Sequence, residues 1–229
     1  MTVTENLARV RADIDDACRS AGRDPAVVRL VPVSKYHPPA AIREAAALGY
    51  RLFGESRPQE LAAKHVELGD SIGFAQIGQL QTNKAGLIAN HAAELQSLDS
   101  LRLAAALQRR LEPLGRRLPV LIQVNTSGEQ AKSGITPGEV VSFAQALRAF
   151  DALEPRGLMT MAVNSPVEDE VAACFQRLTR AQERLRDEFG DGWDELSMGM
   201  SGDYRIAIAQ GSTCVRIGTA IFGPRPSAD

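Results

Sequence analysis

Short runs of β-branched and apolar residues alternate with segments of helical periodicity along almost the entire chain of 229 residues. This alternation predicts parallel strands joined by helical crossovers, which form either an open doubly wound sheet or a closed barrel. Eight strand–helix units in a chain of this length favour the barrel. We therefore predict an α/β fold, a single (β/α)8 TIM-type barrel domain over residues 1–229. The predicted strands are Val28–Lys35, Tyr50–Glu55, Gly73–Gly78, Ala93–Asp99, Pro119–Asn125, Pro155–Met161, Glu195–Met200 and Cys214–Gly223.

Between these runs, apolar residues recur every three or four positions, which predicts helices. An extra helix, from about Thr4 to Ala21, precedes the first strand. Thr4 is its expected N-cap, and Glu5 is favourable near the positive end of the helix dipole. The other predicted helices are Pro39–Leu48, Gln59–Leu68, Ser100–Leu111, Pro137–Phe150, Val167–Phe189 and Asp203–Ala209.

Charge, residue spacing and the absence of long apolar stretches argue against several classes of function. Lys and Arg total 26 and Asp and Glu total 28, a net charge of −2, whereas nucleic-acid-binding domains usually carry a basic excess. The three cysteines and three histidines show no metal-ligand spacing, and His37, His65 and His91 are expected to be isolated from one another. Without a signal peptide or an apolar stretch long enough to span a membrane, we expect a cytoplasmic protein.

Lys35 is the first candidate for chemistry, because working residues in such barrels lie at the carboxyl ends of strands. Val31, Val33 and Lys35 share one face of the predicted strand, so the lysine is partly desolvated and its neutral, nucleophilic amine is favoured. That amine could attack an aldehyde to form an imine. Alternatively, Lys35 reaches solvent or pairs with Glu55. Lys64, on a predicted helix, is expected at the surface.

Two loops at the end of the barrel offer phosphate donors. Gly218-Thr219 lies where barrels commonly bind phosphate, and Ser201-Gly202 opens a predicted helix. Arg216 lies within the last strand, where a charge needs a carboxylate or a ligand acceptor. Asp203 is expected to cap or favour its helix rather than take part in catalysis.

These residues and longer motifs together resemble the pyridoxal phosphate homeostasis protein family, also called the YggS or PROSC family. The barrel of that family is similar to the N-terminal domain of alanine racemases. The resemblance covers nearly the whole chain, from about Val31 to Gly223. The motifs that carry it are Val-Ser-Lys at 33–35, Phe-Gly-Glu at 53–55, Ile-Gly-Gln-Leu-Gln-Thr-Asn-Lys at 77–84, Gln-Val-Asn at 123–125, Lys-Ser-Gly-Ile at 132–135, Arg-Gly-Leu-Met-Thr at 156–160, Leu-Ser-Met-Gly-Met-Ser at 196–201 and Gly-Ser-Thr-Cys-Val-Arg-Ile-Gly-Thr-Ala-Ile-Phe-Gly at 211–223.

The resemblance implies a cofactor, pyridoxal 5′-phosphate, held as an imine on Lys35. It implies that Arg216 faces the pyridine nitrogen; because an arginine cannot accept the ring proton, the ring is then a weak electron sink. The other residues that it assigns to the cofactor are Ser56, Ile77, Met200 and the phosphate-holding Ser201, Gly218 and Thr219.

The chain departs from the family pattern at two places in or near this site. Ser56 stands where the family usually has asparagine, and Phe74-Ala75-Gln76 stands where the family often has Trp-His-Phe. Lys132 is a candidate for a second, transient imine during cofactor transfer, or is simply a solvated loop lysine. The sequence assigns no metal.

A racemase needs a second acid or base, supplied in alanine racemases by a tyrosine from a second domain and a partner subunit. Tyr36 should point away from Lys35 by strand alternation, and Tyr50 lies at the opposite barrel end. Tyr204 is the remaining candidate, with a packing role on its helix as the simpler interpretation. We therefore expect a cofactor carrier or buffer in vitamin B6 homeostasis, with apo pyridoxal-phosphate enzymes as acceptors. The alternatives are a weak racemase-like enzyme and a barrel for another phosphate ligand; a monomer is expected.

Overall fold

The eight predicted strands form one parallel sheet in the computed structural model, which describes residues 2–129 and 131–224. The sheet order is β1-β8-β7-β6-β5-β4-β3-β2, so each strand lies beside its sequence neighbours, as in a barrel. The predicted barrel is confirmed. The strands are β1 (Arg29–Pro32), β2 (Leu52–Glu55), β3 (Gly73–Gln76), β4 (Glu94–Leu98), β5 (Leu118–Gln123), β6 (Leu153–Met159), β7 (Glu195–Ser197) and β8 (Cys214–Ile217).

Helices follow the strands on the outside of the barrel, and the extra helix at the start of the chain is present. Their bounds are α1 (Val3–Ser20), α2 (Pro39–Ala47), α3 (Pro58–Leu68), α4 (Ala85–His91), α5 (Leu101–Leu111), α6 (Val140–Leu147), α7 (Glu168–Phe189), α8 (Tyr204–Ala209) and α9 (Thr219–Phe222). Buried aromatic rings such as Phe53 and Phe74, whose centroids lie 6.4 Å apart, fill the space between sheet and helices. Each such burial contributes roughly 1.5–3 kcal/mol.

The expected N-cap of the first helix was wrong. Thr2, not Thr4, caps α1: its hydroxyl accepts from the Glu5 backbone N–H at 3.2 Å, and the Glu5 carboxylate accepts from the Thr2 N–H at 2.9 Å. This reciprocal pair satisfies two N–H groups at once, so the helix begins before Thr4. Thr4 instead donates from its hydroxyl to Glu44 on α2 at 3.3 Å.

The barrel closes at a seam between β1 and β2 that has little regular pairing. A single bridge joins Val33 to Gly54, and the Ser34 N–H donates to the Gly54 carbonyl at 3.0 Å. The prediction that the first strand continues to Lys35 was wrong, because β1 ends at Pro32 and the chain turns at residues 35–37. Tyr36 in this turn has a φ of 69°, which a strand does not allow.

The last strand is also shorter than predicted. It ends at Ile217, which pairs with Pro32 at the end of β1, so later residues have no strand beside them. From Thr219 to Phe222 the chain is helical instead. The second strand begins at Leu52 rather than at Tyr50.

In the parts of the chain that the structure describes, no helix combines the length and the apolar character needed to cross a membrane. The cysteines Cys18, Cys174 and Cys214 are buried free thiols.

A bulge in β6 brings this strand very close to β7. Val120 of β5 pairs with Pro155 and Leu121 with Gly157, so Arg156 is the extra residue of the bulge. A Cβ added at Gly157 would lie 1.9 Å from the Glu195 carbonyl oxygen. The approach of the two backbones therefore requires glycine at this position.

We expect Gly157→Ala to lower the free energy of unfolding by about 2 kcal/mol or more, because the backbone of β6 or β7 must move to admit the methyl group. Gly138→Ala is the matched control, since a Cβ there meets nothing closer than 3.9 Å. Urea unfolding of both variants measures the difference; an equal, small effect of the two would show that the strands do not approach this closely.

Candidate functional site

A cavity of about 420 Å³ opens at the carboxyl ends of the strands. It gathers all eight residues that the sequence assigned to the cofactor, although they come from five separate parts of the chain. The lining residues are Val33, Lys35, His37, Ser56, Ile77, Gly78, Met161, Met200, Ser201, Gly202, Arg216, Gly218, Thr219 and Gly223. A second cavity, of about 550 Å³, lies at the opposite barrel end beside Phe150 and Trp193 and contains none of the eight.

Lys35 lies in the turn after β1 and is half-buried at the edge of the cavity. Val33 lines the same cavity although Lys35 is outside the strand, whereas Val31, predicted to share their side, is not among the lining residues. Among the described residues, the Lys35 amine takes part in no ion pair. The alternative pairing of Lys35 with Glu55 was wrong, because Glu55 binds Lys64 at 2.7 Å.

Lys64 is not at the surface, contrary to prediction. Its side chain is 7% exposed, and its Nζ donates to Glu55 and Glu60 at 2.7 Å and to the Ser34 carbonyl at 2.8 Å. Burial, opposed by the bonds from Lys64 and Ser34, raises the pKa of the Glu55 carboxyl. The spacing of Glu60 and Lys64, one helical turn apart, was a signal for this pair, but it does not reveal that the face is buried.

Arg216 is buried in β8 and is satisfied by neutral groups. Its Nη1 donates to the Ser197 hydroxyl at 2.5 Å and its Nη2 to the Thr160 carbonyl at 2.8 Å. Burial lowers the pKa of this guanidinium, which nevertheless remains a cation. The sequence analysis offered a carboxylate or a ligand as the acceptor for Arg216. The structure instead provides a serine hydroxyl and a backbone carbonyl.

A chain of hydrogen bonds continues from Ser197 down the inside of the barrel. Ser197 donates to Gln96 Oε1 at 2.6 Å, and Gln96 donates to the Glu94 carboxylate at 2.5 Å. Arg29 donates to Glu94 at 2.9 Å and also binds Glu195. Sequence reasoning missed these residues, although Glu94 and Gln96 alternate on one face of a strand and so predict a polar interior.

The two loops expected to bind phosphate flank the cavity on one side. Among the described residues, the backbone N–H groups of Ser201, Gly202 and Gly218 donate to no other group, so they are available to an anion. A Cβ at Gly218 would lie 3.1 Å from the Val33 carbonyl oxygen, so glycine allows this loop to lie close to the end of β1. Thr219 adds a hydroxyl at the cavity wall.

Asp203 follows these loops, and its expected role at the helix start was wrong in detail. Its side chain accepts from the Met200 N–H at 2.6 Å rather than capping α8. Burial raises the pKa of this carboxyl. Asp203 therefore holds the loop of Met200 and Ser201 in place.

Ser56 lines the opposite wall, where its backbone sets the position of β3. Its carbonyl accepts from the Gln76 side chain at 2.9 Å, and a Cβ at Gly78 would lie 2.4 Å from the same carbonyl oxygen. Gly78 is needed for this approach, which does not depend on the Ser56 side chain.

Lys132 does not line the cavity. Its Nζ donates to the Ala162 carbonyl at 3.0 Å and forms an ion pair with Glu129. Ala162 directly follows Met161, a cavity residue, so Lys132 is a neighbour of the rim rather than a part of the wall.

Tyr204 faces away from the cavity, as its expected packing role requires. Its hydroxyl donates to Asp13 on α1. Burial, together with this carboxylate, raises the pKa of Tyr204 to about 12. The phenol is therefore neutral at physiological pH and poorly suited to act as a base. Tyr36 and Tyr50 are not among the residues that line the cavity.

The expectation that the histidines are isolated was wrong. His65 and His91 lie with their Nδ1 atoms 3.2 Å apart, although no three His, Cys, Asp or Glu side chains within 2–129 and 131–224 are placed to hold a metal. His37 stacks on Phe222 with ring centroids 5.3 Å apart and lines the cavity. Burial and the nearby Lys64 lower the pKa of His37, which makes it a titratable group at the site that sequence reasoning missed.

The parallel barrel, with a lysine in the turn after its first strand at the edge of a cavity, fits the class described as the alanine racemase N-terminal domain. The sequence model of that family matches residues 6–226. An alanine racemase from Clostridium difficile 630 shares the fold with a TM-score of 0.77 over 99% of this chain and 57% of its own, at 16% identity.

Within this class the chain belongs to the pyridoxal phosphate homeostasis protein family, as its motifs predicted. It is 45% identical over 228 residues to the pyridoxal phosphate homeostasis protein of Pseudomonas aeruginosa, covering 98% of this chain and 96% of that protein. PipY of Synechococcus elongatus PCC7942, solved with pyridoxal phosphate bound, matches with a TM-score of 0.85 and 36% identity over 97% of this chain and all of its own.

The hydrogen-bond chain inside the barrel should contribute to the stability of the protein. We expect Gln96→Met to destabilise the protein by about 1–3 kcal/mol, because the Ser197 hydroxyl and the Glu94 carboxylate each lose a buried partner. Gln145→Met on the exposed side of α6 is the control and should change stability by less than about 0.5 kcal/mol. Thermal and urea unfolding measure both; a neutral Gln96→Met would mean that the interior polar groups are satisfied independently of Gln96.

Proposed function

We propose that this protein binds pyridoxal 5′-phosphate in the cavity at the carboxyl ends of its strands and holds it as an imine on Lys35. The observation that carries the proposal is the gathering of Lys35, Arg216 and the Ser201 and Gly218–Thr219 loops around one cavity. A relative of known structure binds this cofactor on the same fold.

The residues present fit the cofactor at each of its reactive ends. The unpaired Lys35 amine suits an aldehyde, and the free N–H groups of Ser201, Gly202 and Gly218 suit a phosphate. The cofactor supplies an electrophilic aldehyde: Lys35 Nζ bonds to its carbon, and the aldehyde oxygen leaves as water. Arg216, a permanent cation, keeps a proton off the pyridine nitrogen and so restrains catalysis at the ring. Ser56, Ile77 and Met200 complete the wall.

The test is reduction with borohydride after incubation with pyridoxal 5′-phosphate, followed by peptide mass mapping. The chain has four lysines, so an adduct is assigned without ambiguity. We expect the adduct on Lys35 in the wild type and its loss in Lys35→Ala. Lys132→Ala is the control for the proposed transfer lysine and should keep the Lys35 adduct. Absence of an adduct at Lys35 in the wild type would overturn the proposal.

We propose that the protein carries or buffers the cofactor rather than catalysing a reaction. The candidate acid–base tyrosine, Tyr204, is directed to α1 and has a pKa raised to about 12. His37 is the observation that favours the alternative, a weak racemase-like enzyme, because it is a titratable group at the cavity.

Exchange of the α-proton of amino acids in deuterated water separates the two functions. We expect no exchange above that of free cofactor with the wild type or with Tyr204→Phe, since the Tyr204 hydroxyl is directed to α1 and away from the cavity. Exchange that persists in Tyr204→Phe and disappears in His37→Gln would establish the enzymatic alternative instead.

We further propose that the protein acts as a cytoplasmic monomer that delivers its cofactor to apo-enzymes. Met161 and Met200 are exposed at the rim of the cavity, where an acceptor would approach. The buried free thiols accord with a reducing compartment.

A further inference from the structure

Three charged residues behind the cavity wall hold the backbone on both sides of Lys35. They are Glu55 at the end of β2 and Glu60 and Lys64 on α3, and we call them the Glu55–Glu60–Lys64 cluster. None of the three lines the cavity. Their contacts therefore act on the position of the lysine and not on a ligand.

The cluster forms two hydrogen bonds with Ser34, the residue before Lys35. The Ser34 hydroxyl donates to Glu55 Oε1 at 2.6 Å, and the Ser34 carbonyl accepts from Lys64 Nζ at 2.8 Å. Ser34 and Glu55 are fully buried, so these bonds form where water does not compete for them.

The cluster also accepts a hydrogen bond from the backbone of Tyr36, the residue after Lys35. The Tyr36 backbone N–H donates to Glu60 Oε1 at 2.6 Å, and Lys64 binds the same oxygen at 2.7 Å. Lys64 also binds Glu55 at 2.7 Å, so one ammonium joins the two carboxylates that reach both sides of the turn.

The turn needs this support because regular backbone pairing does not supply it. Between β1 and β2 there is one bridge, from Val33 to Gly54. The hydrogen bond from the Ser34 N–H to the Gly54 carbonyl is the last backbone contact before the turn. Tyr36 has a φ of 69°, a left-handed conformation that persists only where the surroundings impose it. The bond from Tyr36 to Glu60 is placed to impose it.

We propose that Glu55, Glu60 and Lys64 are positioning residues that hold the Ser34–Tyr36 turn so that the Lys35 amine enters the cavity at the angle needed to form its imine. The inference rests on the proposed function of Lys35. The orientation of the Lys35 amine is then set by a buried ionic cluster on the far side of β2, because neither strand pairing nor a direct partner holds the amine.

The experiment measures the turn and the imine separately. Hydrogen–deuterium exchange of the Tyr36 amide, followed in protein free of cofactor, reports on the turn. The rate at which the visible absorbance of the lysine imine appears reports on the amine. Binding of pyridoxine 5′-phosphate, which has the ring and the phosphate but no aldehyde, reports on the cavity itself.

The principal variant is Glu60→Ala, which removes the acceptor of the Tyr36 N–H from a partly exposed position. We expect at least about tenfold faster exchange of the Tyr36 amide and about tenfold slower imine formation, since small misplacement of a reacting group costs this much or more. Binding of pyridoxine 5′-phosphate should change by less than about twofold. Glu67→Ala, further along α3 and exposed, is the matched control and should alter none of the three.

Lys64→Met tests the junction of the cluster and should give the same pattern; if it does not fold, Glu60→Ala decides. Unchanged exchange and unchanged imine formation in Glu60→Ala would overturn the inference. Parallel loss of imine formation and of pyridoxine 5′-phosphate binding would also overturn it, because the cluster would then merely support the fold. Failure of the wild type to form any imine, with the Tyr36 amide still protected by Glu60, would instead refute the proposed function.

Discussion

A buried guanidinium inside a parallel barrel requires acceptors that solvent cannot supply, and the interior of this barrel is arranged around that requirement. Arg216 is satisfied by a serine hydroxyl and a carbonyl, and the serine passes the polar chain to Gln96, Glu94 and Arg29. The inward positions of four strands are therefore committed to polar residues that would otherwise be apolar packing. The cation at the cavity floor has its own two acceptors, and one of them begins a column of hydrogen bonds that reaches Arg29.

The lysine side of the cavity follows a different logic. There β1 and β2 share an isolated bridge, and charged side chains behind the cavity wall hold the turn that follows β1. Charge is thus used on both sides of the cavity, once inside the barrel and once between sheet and helix. In neither place does a carboxylate directly contact the group that faces the cavity: Arg216 donates to a hydroxyl and a carbonyl, and Lys35 takes part in no ion pair among the described residues.

The architecture could be predicted from the sequence because strand and helix periodicities differ and eight units repeat. The eight cavity residues could be predicted because strand ends converge at one barrel face, and because their motifs resemble those of a known family. Lys64 could not, since a lysine at helical spacing from a glutamate is compatible with either an exposed or a buried face. The ends of β1 and β8 could not either, because the turn at Tyr36 depends on a hydrogen bond to Glu60 that is remote in sequence. The cap at Thr4 was misplaced although the sequence carried the signal for Thr2, because Glu5 follows Thr2 at the three-residue spacing of a capping box.

The contact between the backbones of Ser56 and Gly78 has a consequence for how the site can change during evolution. The carbonyl of residue 56 and the missing side chain of residue 78 set the separation of the two strands, and the side chain at 56 takes no part in that contact. Residue 56 borders the cavity, yet its identity is free to drift without disturbing the barrel. Serine and asparagine at this position can therefore replace each other at the cavity border without a change in the separation of the two strands.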